Sequence, residues 1–349
     1  MKKIRIGIVG TGQRTCLHGG CVFRESKDKM QIVSLCDINA ERLVHAKKMY
    51  ENEFGYGIET YQDYMEMFKG ASLDAVYIAT PNYLHAEMTV KALESGLHVL
   101  CEKPMELSLV KCDEMIAVAE KSRKVLSFAM QMHYRHRYHK VKELIDRGEI
   151  GKVAMAWCTE YRDPFAAMKD WVWDPAKSGG AIVEKNCHHY DILDMWIASR
   201  PISVYANGNI MKHHKPHGIE SGIIDNAWII TDYESGARSM VGISFLARKY
   251  HYREFGVIGT EGKIFFSSND KEIVHVVKAG GDKESYSINL SDEITNDIGG
   301  SVFNEFISCI IEGGQPMVDG AMAKNSMLIP LAAELSIREK RIVHVNELK

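Results

Sequence analysis

Short apolar runs alternate with helix-spaced segments through the first third of the chain, and this alternation constrains the fold more than any other feature. Strand-length apolar runs lie at 4–9, 32–36, 75–79, 99–101 and 125–130. Segments with helical spacing of apolar residues lie between several of them, at 40–50, 85–95 and 109–121. Strands that are apolar throughout are buried on both faces, as in a parallel sheet covered by helices on both sides. The pattern predicts a doubly wound α/β domain over residues 1–130.

The pattern changes in residues 131–349. A helix-like segment at 136–147 ends at Gly148, and strand-like runs follow at 153–159, 203–210, 227–233, 237–244, 254–258 and 263–267. Turns such as Ser235-Gly236 and Thr260-Glu261-Gly262 are typical of antiparallel hairpins. Helices are predicted at 181–198, 302–312 and 321–339, and we expect the C-terminal ones to pack back on the first domain. This region is predicted to be an α+β domain with a large, mostly antiparallel open sheet.

The composition limits the class of protein. With 349 residues, 46% hydrophobic and 26% charged, the chain can bury two cores. The net charge is −3, without a long basic run, so neither nucleic acid nor a membrane surface is an expected partner. No stretch approaches the roughly 18 apolar residues that a membrane span needs. Eight scattered cysteines without a CxxC pair indicate reduced thiols, so we expect a cytoplasmic protein.

The loop after the first strand has the character of a phosphate-binding turn. Gly10 permits a tight turn, Gly12 lets the backbone approach a pyrophosphate, and the helix that follows offers free N–H groups. The predicted phosphate-binding residues are Gly10, Thr11, Gly12 and Gln13. Because Thr15 replaces the third glycine of the GxGxxG pattern, an ordinary strand-to-helix turn is the alternative.

An acidic residue at the end of the second strand bears on the choice of dinucleotide. Asp37 lies roughly 20 or more residues past the glycines, where a carboxylate can accept hydrogen bonds from the adenosine ribose. The same carboxylate would repel a 2′-phosphate, so the prediction is NAD rather than NADP. A helix N-cap is another role open to Asp37, and the two roles are compatible.

Two later strand ends carry polar loops, and ligands of doubly wound sheets lie outside such ends. The first loop is expected to line the cofactor crevice with Thr80, Pro81, Asn82 and His85. The second contains Glu102, Lys103 and Pro104, and its Glu102 and Lys103 are also expected to contact the cofactor. A lysine held by a following proline can reach the place of a nicotinamide, although such a lysine is more often a surface charge.

The helix predicted over 181–198 carries acid–base candidates. Helical spacing puts Glu184, His188 and Asp191 on one face, with the first two as an i, i+4 pair. A carboxylate can hold one imidazole nitrogen and leave the other to exchange a proton near neutral pH. The alternative is a surface ion pair with a capping acid.

Histidine clusters at two places do not predict a metal site. His188 and His189 point about 100° apart on a helix, so they cannot easily share one ion. No HExxH or CxxC spacing is present. The histidines of the 213–217 segment lie in a polar stretch and are expected to be solvated. We expect no bound metal.

Taken together, the motifs resemble the glucose–fructose oxidoreductase/inositol dehydrogenase (Gfo/Idh/MocA) family over essentially the whole chain. The resemblance rests on the Gly-Thr-Gly loop with Asp37, ATPNYLH at 79–85, EKP at 102–104, Tyr134-Arg135, Trp171 with DPxxSGG at 174–180, and GGQPMVDGAMA at 313–323. It implies a Rossmann domain followed by an α/β domain whose open sheet often mediates subunit contacts. A homodimer or homotetramer is therefore expected.

The resemblance also implies catalytic roles. Lys103 matches the family's catalytic lysine, and His188 matches the histidine that usually serves as acid/base. Glu184 stands where Asp is common, and Asn186 stands where glycine is common. The implied reaction is hydride transfer between NAD and a secondary alcohol of a sugar, glycoside or cyclitol, with His188 accepting the proton and Lys103 stabilising charge on the oxygen. Glu184 would orient or tune His188.

Aromatic rings suit the apolar faces of a sugar, while arginine and histidine suit its hydroxyls. Candidates for the pocket wall are Tyr134, Arg135, Tyr161, Arg162, Trp171 and His189, with core packing as the alternative for the rings. Two other functions stay open: a redox-neutral glycoside hydrolase that oxidises, eliminates and re-reduces its substrate, and a non-catalytic sugar-sensing regulator. A substrate other than a sugar is less favoured, because relatives acting on such compounds tend to lack the histidine.

Overall fold

The computed structural model describes residues 3–17, 26–165, 170–212, 221–247, 249–269, 273–287 and 298–348, with side chains from 302 onward in the last range. The chain divides into two units, Met1–Tyr134 with Ile294–Lys324 and Arg135–Glu293 with Asn325–Lys349. The histidine-rich segment at 213–217 lies outside the described residues.

A six-stranded parallel sheet forms the centre of the first unit. Its strands are β1 (Ile4–Val9), β2 (Met30–Cys36), β3 (Glu59–Tyr61), β4 (Ala75–Ile78), β5 (His98–Cys101) and β6 (Leu126–Phe128). They lie in the order β3-β2-β1-β4-β5-β6, and all neighbours pair in parallel. The strand order reverses at β1, where doubly wound sheets bind their ligands. The predicted doubly wound domain is confirmed.

Helices connect these strands. They are α1 (Gln13–Leu17), α2 (Ala40–Phe54), α3 (Tyr64–Gly70), α4 (His85–Glu94) and α5 (Leu109–Ser122), with short 3-10 turns at Asn82–Leu84 and Gln131–Tyr134. The apolar pattern misses β3, because this edge strand has three residues and two of them are exposed. The neighbouring α3 is also missed.

A nine-stranded sheet forms the centre of the second unit. Its strands are β7 (Val153–Tyr161), β8 (Pro201–Asn209), β9 (Asn226–Tyr233), β10 (Arg238–Ser244), β11 (Tyr252–Gly259), β12 (Gly262–Ser267), β13 (Ile273–Lys278), β14 (Lys283–Ser287) and β15 (Val343–His344). The order is β14-β13-β12-β11-β7-β10-β9-β8-β15. Only β7 and β10 pair in parallel, so the mostly antiparallel prediction is confirmed.

The helices of the second half differ from the prediction at one point. They are α6 (His136–Asp146), α7 (Pro175–Ser178), α8 (Gly180–Glu184), α9 (Cys187–Ile197), α10 (Ile298–Glu312) and α11 (Gly320–Glu339), with 3-10 turns at Asp170–Trp173 and Val345–Glu347. The single helix expected over 181–198 is wrong, because the chain breaks into α8 and α9 at residues 185 and 186. Within the described residues, no helix combines the length and apolar composition that crossing a bilayer requires.

Helix α10 completes the core of the first unit. Phe303, Phe306 and Ile307 belong to the same buried cluster as the side chains of β1 and β2. The ring of Phe303 meets Tyr77 of β4 edge to face, with centroids 4.9 Å apart. This sheet is therefore covered partly by a segment that lies far along the chain.

The second sheet has one face on which large apolar side chains stay exposed. Trp228 and Met155 are about half exposed, at 50% and 52%. Trp228 lies across its cross-strand neighbour Gly242, where a Cβ would be 2.4 Å from the indole. Trp157 lies across Gly256 in the same way, at 2.1 Å. Both indoles thus lie flat on glycine backbone, and the face is broad and apolar.

Gly10 directly follows β1 and adopts a backbone conformation that is unstrained for glycine. Its φ is +94°, and a Cβ on it would lie 2.5 Å from the carbonyl oxygen of Ala79, directly after β4. Gly12 is different, because a Cβ there would meet no described atom within 4 Å. The first glycine is needed for the fold, and the second leaves space beside the loop.

We expect Gly10→Ala to lower the Tm while Gly12→Ala leaves it unchanged. A left-handed alanine costs about 1–2 kcal/mol, and its methyl group must also displace the Ala79 carbonyl. Since 1 kcal/mol corresponds to about 2–4 °C in domains of this size, a loss of roughly 2–8 °C is expected by scanning calorimetry. Equal Tm values for the two variants would contradict the geometry at Gly10.

Candidate active site

The Gly-Thr-Gly loop is held by the carboxylate that follows β2. Thr11 donates to Asp37 Oδ2 from its backbone nitrogen at 2.8 Å and from its hydroxyl at 3.0 Å. The backbone N–H of Asn39 donates to the other oxygen at 2.9 Å. A carboxylate has about four acceptor positions, so Asp37 keeps capacity for one more donor. Helix α2 is capped by Asn39, so the N-cap role considered for Asp37 is wrong.

The loop region fits a dinucleotide phosphate. Gly12 has free space beside it, because a Cβ at this position would meet no described atom within 4 Å. The side chain of Thr80 lies against Gly10, and its hydroxyl is buried without a hydrogen-bond partner in the described part of the chain. A buried polar group of this kind calls for a partner that is absent from the protein itself. Backbone N–H groups, space and an unsatisfied hydroxyl are what a bound phosphate requires.

Glu102 ties the start of α1 to the end of β5. Its carboxylate accepts from Arg14 Nε at 2.8 Å and from the Tyr77 hydroxyl at 2.6 Å. Burial opposes the negative charge, but Arg14 and Tyr77 outweigh it and lower the pKa of Glu102 to about 2. The carboxylate is thus ionised and largely occupied by protein groups, and its contact with a cofactor remains a prediction.

The loop that carries Lys103 is fixed by a buried histidine. The Lys103–Pro104 peptide bond is cis. His85, which is fully buried, places Nδ1 2.8 Å from the Pro104 carbonyl and Nε2 3.1 Å from the Thr80 carbonyl. Both partners are acceptors, so each contact is a hydrogen bond when its ring nitrogen carries a proton. His85 thereby joins the loops after β4 and β5, the two loops predicted to line the crevice.

The other predicted residues of this crevice lie in the same loops. Gln13 is the first residue of α1, and Pro81 precedes the 3-10 turn that buried Asn82 opens. Tyr134, predicted for the pocket wall, donates its hydroxyl to Glu305 of α10 at 2.7 Å. Its ring also packs against the core of the first unit. The first unit therefore brings together the predicted cofactor residues that follow β1, β2, β4 and β5.

In the second unit, the acid–base candidates stand on either side of a helix break. Glu184 is the last residue of α8, and His188 is the second residue of α9. Both are largely buried, at 9% and 8% exposure. The regular helix assumed for the i, i+4 pair is interrupted at Lys185 and Asn186, although both residues keep backbone angles in the right-handed helical region. The placement of the two side chains therefore depends on the junction formed by Lys185 and Asn186.

His189, predicted to line the pocket, is fully buried. Its Nδ1 accepts from Asn186 Nδ2 at 2.6 Å, and its Nε2 lies 3.1 Å from Glu160. Its ring meets Phe255 edge to face. Burial lowers the pKa of His189 to about 4, so the ring is neutral at pH 7. His189 has no exposed surface for a ligand in this structure, and its contacts support the protein around it.

The remaining pocket candidates lie at the end of β7 and in nearby turns. Tyr161 is the last residue of β7 and stacks on Tyr252. The guanidinium of Arg162 lies over Phe165 and Phe245 at 5.9 and 5.8 Å. Arg135 is the N-cap of α6. Trp171 lies in the 3-10 turn at Asp170–Trp173. Their roles toward substrate remain predictions.

Sequence reasoning misses Glu160, which is central to this region. The signal was present in β7, where buried positions alternate through Ala156, Cys158 and Glu160. A carboxylate at an inward position of a strand must have buried partners. The predicted strand ended at 159, and so it left this position out.

Comparison with known proteins shows which family the chain is related to. Residues 4–130 match a model described as an oxidoreductase family with an NAD-binding Rossmann fold, and residues 138–265 match the GFO/IDH/MocA C-terminal domain. Myo-inositol 2-dehydrogenase of Thermotoga maritima is 26% identical over 346 residues, 99% of each chain. The NAD(+)-dependent scyllo-inositol 2-dehydrogenase of Bacillus subtilis is 28% identical over 298 residues, 81% of each chain.

A solved structure has the same fold. Myo-inositol 2-dehydrogenase from Lactobacillus plantarum superposes with a TM-score of 0.81 at 23% identity, covering 98% of this chain and 99% of that one. The predicted family, fold class and NAD cofactor are confirmed by these matches. The chain belongs to the Gfo/Idh/MocA family of oxidoreductases, and its first unit is the family's NAD-binding Rossmann domain.

Proposed function

We propose that this protein is a dehydrogenase that transfers hydride between NAD and a secondary alcohol of a cyclitol or related sugar. The observation that carries the proposal is the position of Lys103. It directly follows Glu102, which binds Arg14 of α1, and it precedes Pro104, which is held by His85. A cationic side chain is thus anchored at the carboxyl end of β5, in a domain that binds NAD. The relatives named as inositol 2-dehydrogenases support the substrate class.

When bound, NAD supplies the hydride acceptor or donor, and the protein orients the alcohol and manages one proton. The loop of Gly10 to Gly12 and the hydroxyl of Thr80 would hold the phosphates, and Asp37 would accept a hydrogen bond from a ribose hydroxyl. Lys103 donates a hydrogen bond to the alcohol oxygen and stabilises the charge that develops there. His188 accepts the hydroxyl proton, and Glu184 orients or tunes its imidazole.

The two other functions considered from the sequence are not favoured. The relatives described above are named as dehydrogenases, which argues against a redox-neutral glycoside hydrolase and against a non-catalytic regulator. We also place the protein in the cytoplasm. Six buried or half-buried cysteines in the described residues are free thiols, as expected in a reducing compartment.

We expect Asp37 to determine whether the protein prefers NAD or NADP. The neighbouring Ile38 is 88% exposed at the same strand end, so this position is accessible to a nucleotide. We expect the wild type to prefer NAD, and Asp37→Ser with Ile38→Arg to shift preference toward NADP by removing repulsion and adding a phosphate partner. Titration calorimetry with both dinucleotides measures this. Equal affinities of the wild type for NAD and NADP would refute the assignment.

Lys103→Met and His188→Ala should keep the fold and NAD binding but lose turnover by roughly two to four orders of magnitude, the range for a positioned acid or base. Glu184→Gln should cost less and mainly move the pH profile. The assay follows nicotinamide absorbance and product masses over a panel of cyclitols, sugars and glycosides. A near-normal rate for His188→Ala would overturn the mechanism, and release of free aglycone without absorbance change would identify the hydrolase.

We also propose that the open face of the second sheet is covered by another copy of the chain. Exposed Met155, Trp228 and Ile230 lie together on it, and broad apolar faces of this kind are normally covered. We expect light scattering to give a dimer or tetramer of the 39.4 kDa chain. Ile230→Lys should shift the mass toward the monomer, while Val110→Lys, at a more exposed apolar site on α5, should not. A monomer at all concentrations would exclude the assembly.

A further inference from the structure

The two residues before α9 decide where the acid–base candidates stand. Helix α8 ends at Glu184, and α9 begins at Cys187. Lys185 closes α8 with an N–H bond to Ala181, and Asn186 accepts a backbone bond from Tyr190 of α9, so the backbone bonds at the junction hold each helix separately. Some other interaction must hold the junction if Glu184 and His188 are to keep one arrangement.

A single buried carboxylate contacts both sides of the break. Glu160 projects from β7 and is fully buried. Lys185, on the α8 side, places its Nζ 3.4 Å from Glu160 Oε1. His189, on the α9 side, places its Nε2 3.1 Å from Oε2. Each oxygen of one carboxylate therefore faces a different side of the junction.

Asn186 completes the link across the break. Its side-chain Nδ2 donates to His189 Nδ1 at 2.6 Å, which leaves the proton of the neutral ring on Nε2, facing Glu160. The second unit thus contains a continuous path of polar contacts from the rigid strand β7 to both helices. Strand β7 lies in the middle of the nine-stranded sheet, between β11 and β10.

The charges around Glu160 are mostly positive. Besides Lys185, Arg162 lies 4.0 Å away, and Arg253 is its cross-strand neighbour on β11. His251 places Nε2 2.8 Å from Oε1. Burial opposes the charge, but Lys185 and the two neighbouring histidines hold the pKa of Glu160 well below its usual range. Glu160 is therefore ionised at neutral pH, and it balances the charge of Lys185.

We propose that Glu160 is a positioning residue for the acid–base pair: it anchors Lys185 and His189 and thereby sets the arrangement and charge environment of Glu184 and His188. The proposal rests on the proposed function, in which His188 exchanges the substrate proton. Glu160 acts through Lys185 and His189 and is assigned no contact with substrate.

The charge of Glu160 predicts the direction in which the pKa of His188 should move. Glu160→Gln keeps the shape of the side chain but removes the negative charge that lies 3.4 Å from Lys185 Nζ. Lys185 and His188 are three residues apart, so their Cα atoms lie within about 11 Å. Loss of a negative charge beside this near neighbour disfavours the imidazolium and should lower the pKa of His188 by roughly half a unit to one unit. Lys185→Met should shift it in the opposite direction.

The test is an NMR titration of the histidine ring protons, with the His188 signal assigned through His188→Ala. It compares the wild type with Glu160→Gln, Lys185→Met and the double variant. Glu254→Gln is the matched control. Glu254 lies on the opposite face of the same sheet and accepts from Trp157 at 2.9 Å and from Tyr252 at 2.7 Å, so it has no part in the junction.

We expect Glu160→Gln to lower the pKa of His188 and slow turnover at least about tenfold, with the pH profile of kcat moving by the same amount as the titration. The double variant should bring the pKa back toward the wild-type value, and Glu254→Gln should change neither quantity. An unchanged His188 titration in Glu160→Gln would overturn the proposal. If that variant does not fold, an unchanged titration in Lys185→Met overturns it instead.

The titration requires no substrate. If the wild type oxidises no cyclitol or sugar, the proposed function fails, and the His188 titration still decides whether Glu160 controls the junction. If the wild type oxidises a substrate and both Glu160→Gln and Lys185→Met leave the His188 titration unchanged, the role of Glu160 is refuted and the proposed function stands.

Discussion

A carboxylate can be buried only where protein groups replace its hydration, and three such carboxylates organise the functional parts of this chain. Asp37 holds the Gly-Thr-Gly loop, Glu102 holds Arg14 at the start of α1, and Glu160 holds the junction between α8 and α9. Each stands at or just past the carboxyl end of a strand. The rigid sheets thereby fix irregular segments whose own backbone has few hydrogen bonds to hold it.

Much of the fold could be predicted because burial leaves a periodic signal. Strand β4 is apolar throughout and β1 is apolar apart from Arg5, and both were predicted to within one residue. The antiparallel sheet followed from alternating runs joined by glycine turns. The short edge strand β3 left no signal, since exposed residues obey no apolar pattern. Strands β13 and β14, at the other sheet's edge, were missed as well.

The candidate site could be predicted only in part, because sequence spacing does not show which partner a polar side chain finds. The helical periodicity around His188 continues across Lys185 and Asn186, so the break between α8 and α9 was invisible. His189 suited a pocket wall by residue type, yet the structure buries it against Glu160. Glu102 was expected at the cofactor, and its carboxylate is occupied by Arg14 and Tyr77. In each case a contact with residues distant in the sequence determines the surroundings of the side chain.

The indoles that lie flat on glycine in the second sheet also limit how this sequence can diverge. At Gly242 and Gly256, even one methyl group would collide with the ring of the cross-strand tryptophan, at 2.4 and 2.1 Å. A side chain at Gly256 becomes acceptable only after Trp157 has been replaced by a smaller residue, and the smaller residue alone would leave bare backbone on an apolar face. Each pair therefore has to change in a set order or together, and the cost of one substitution depends on the state of its partner.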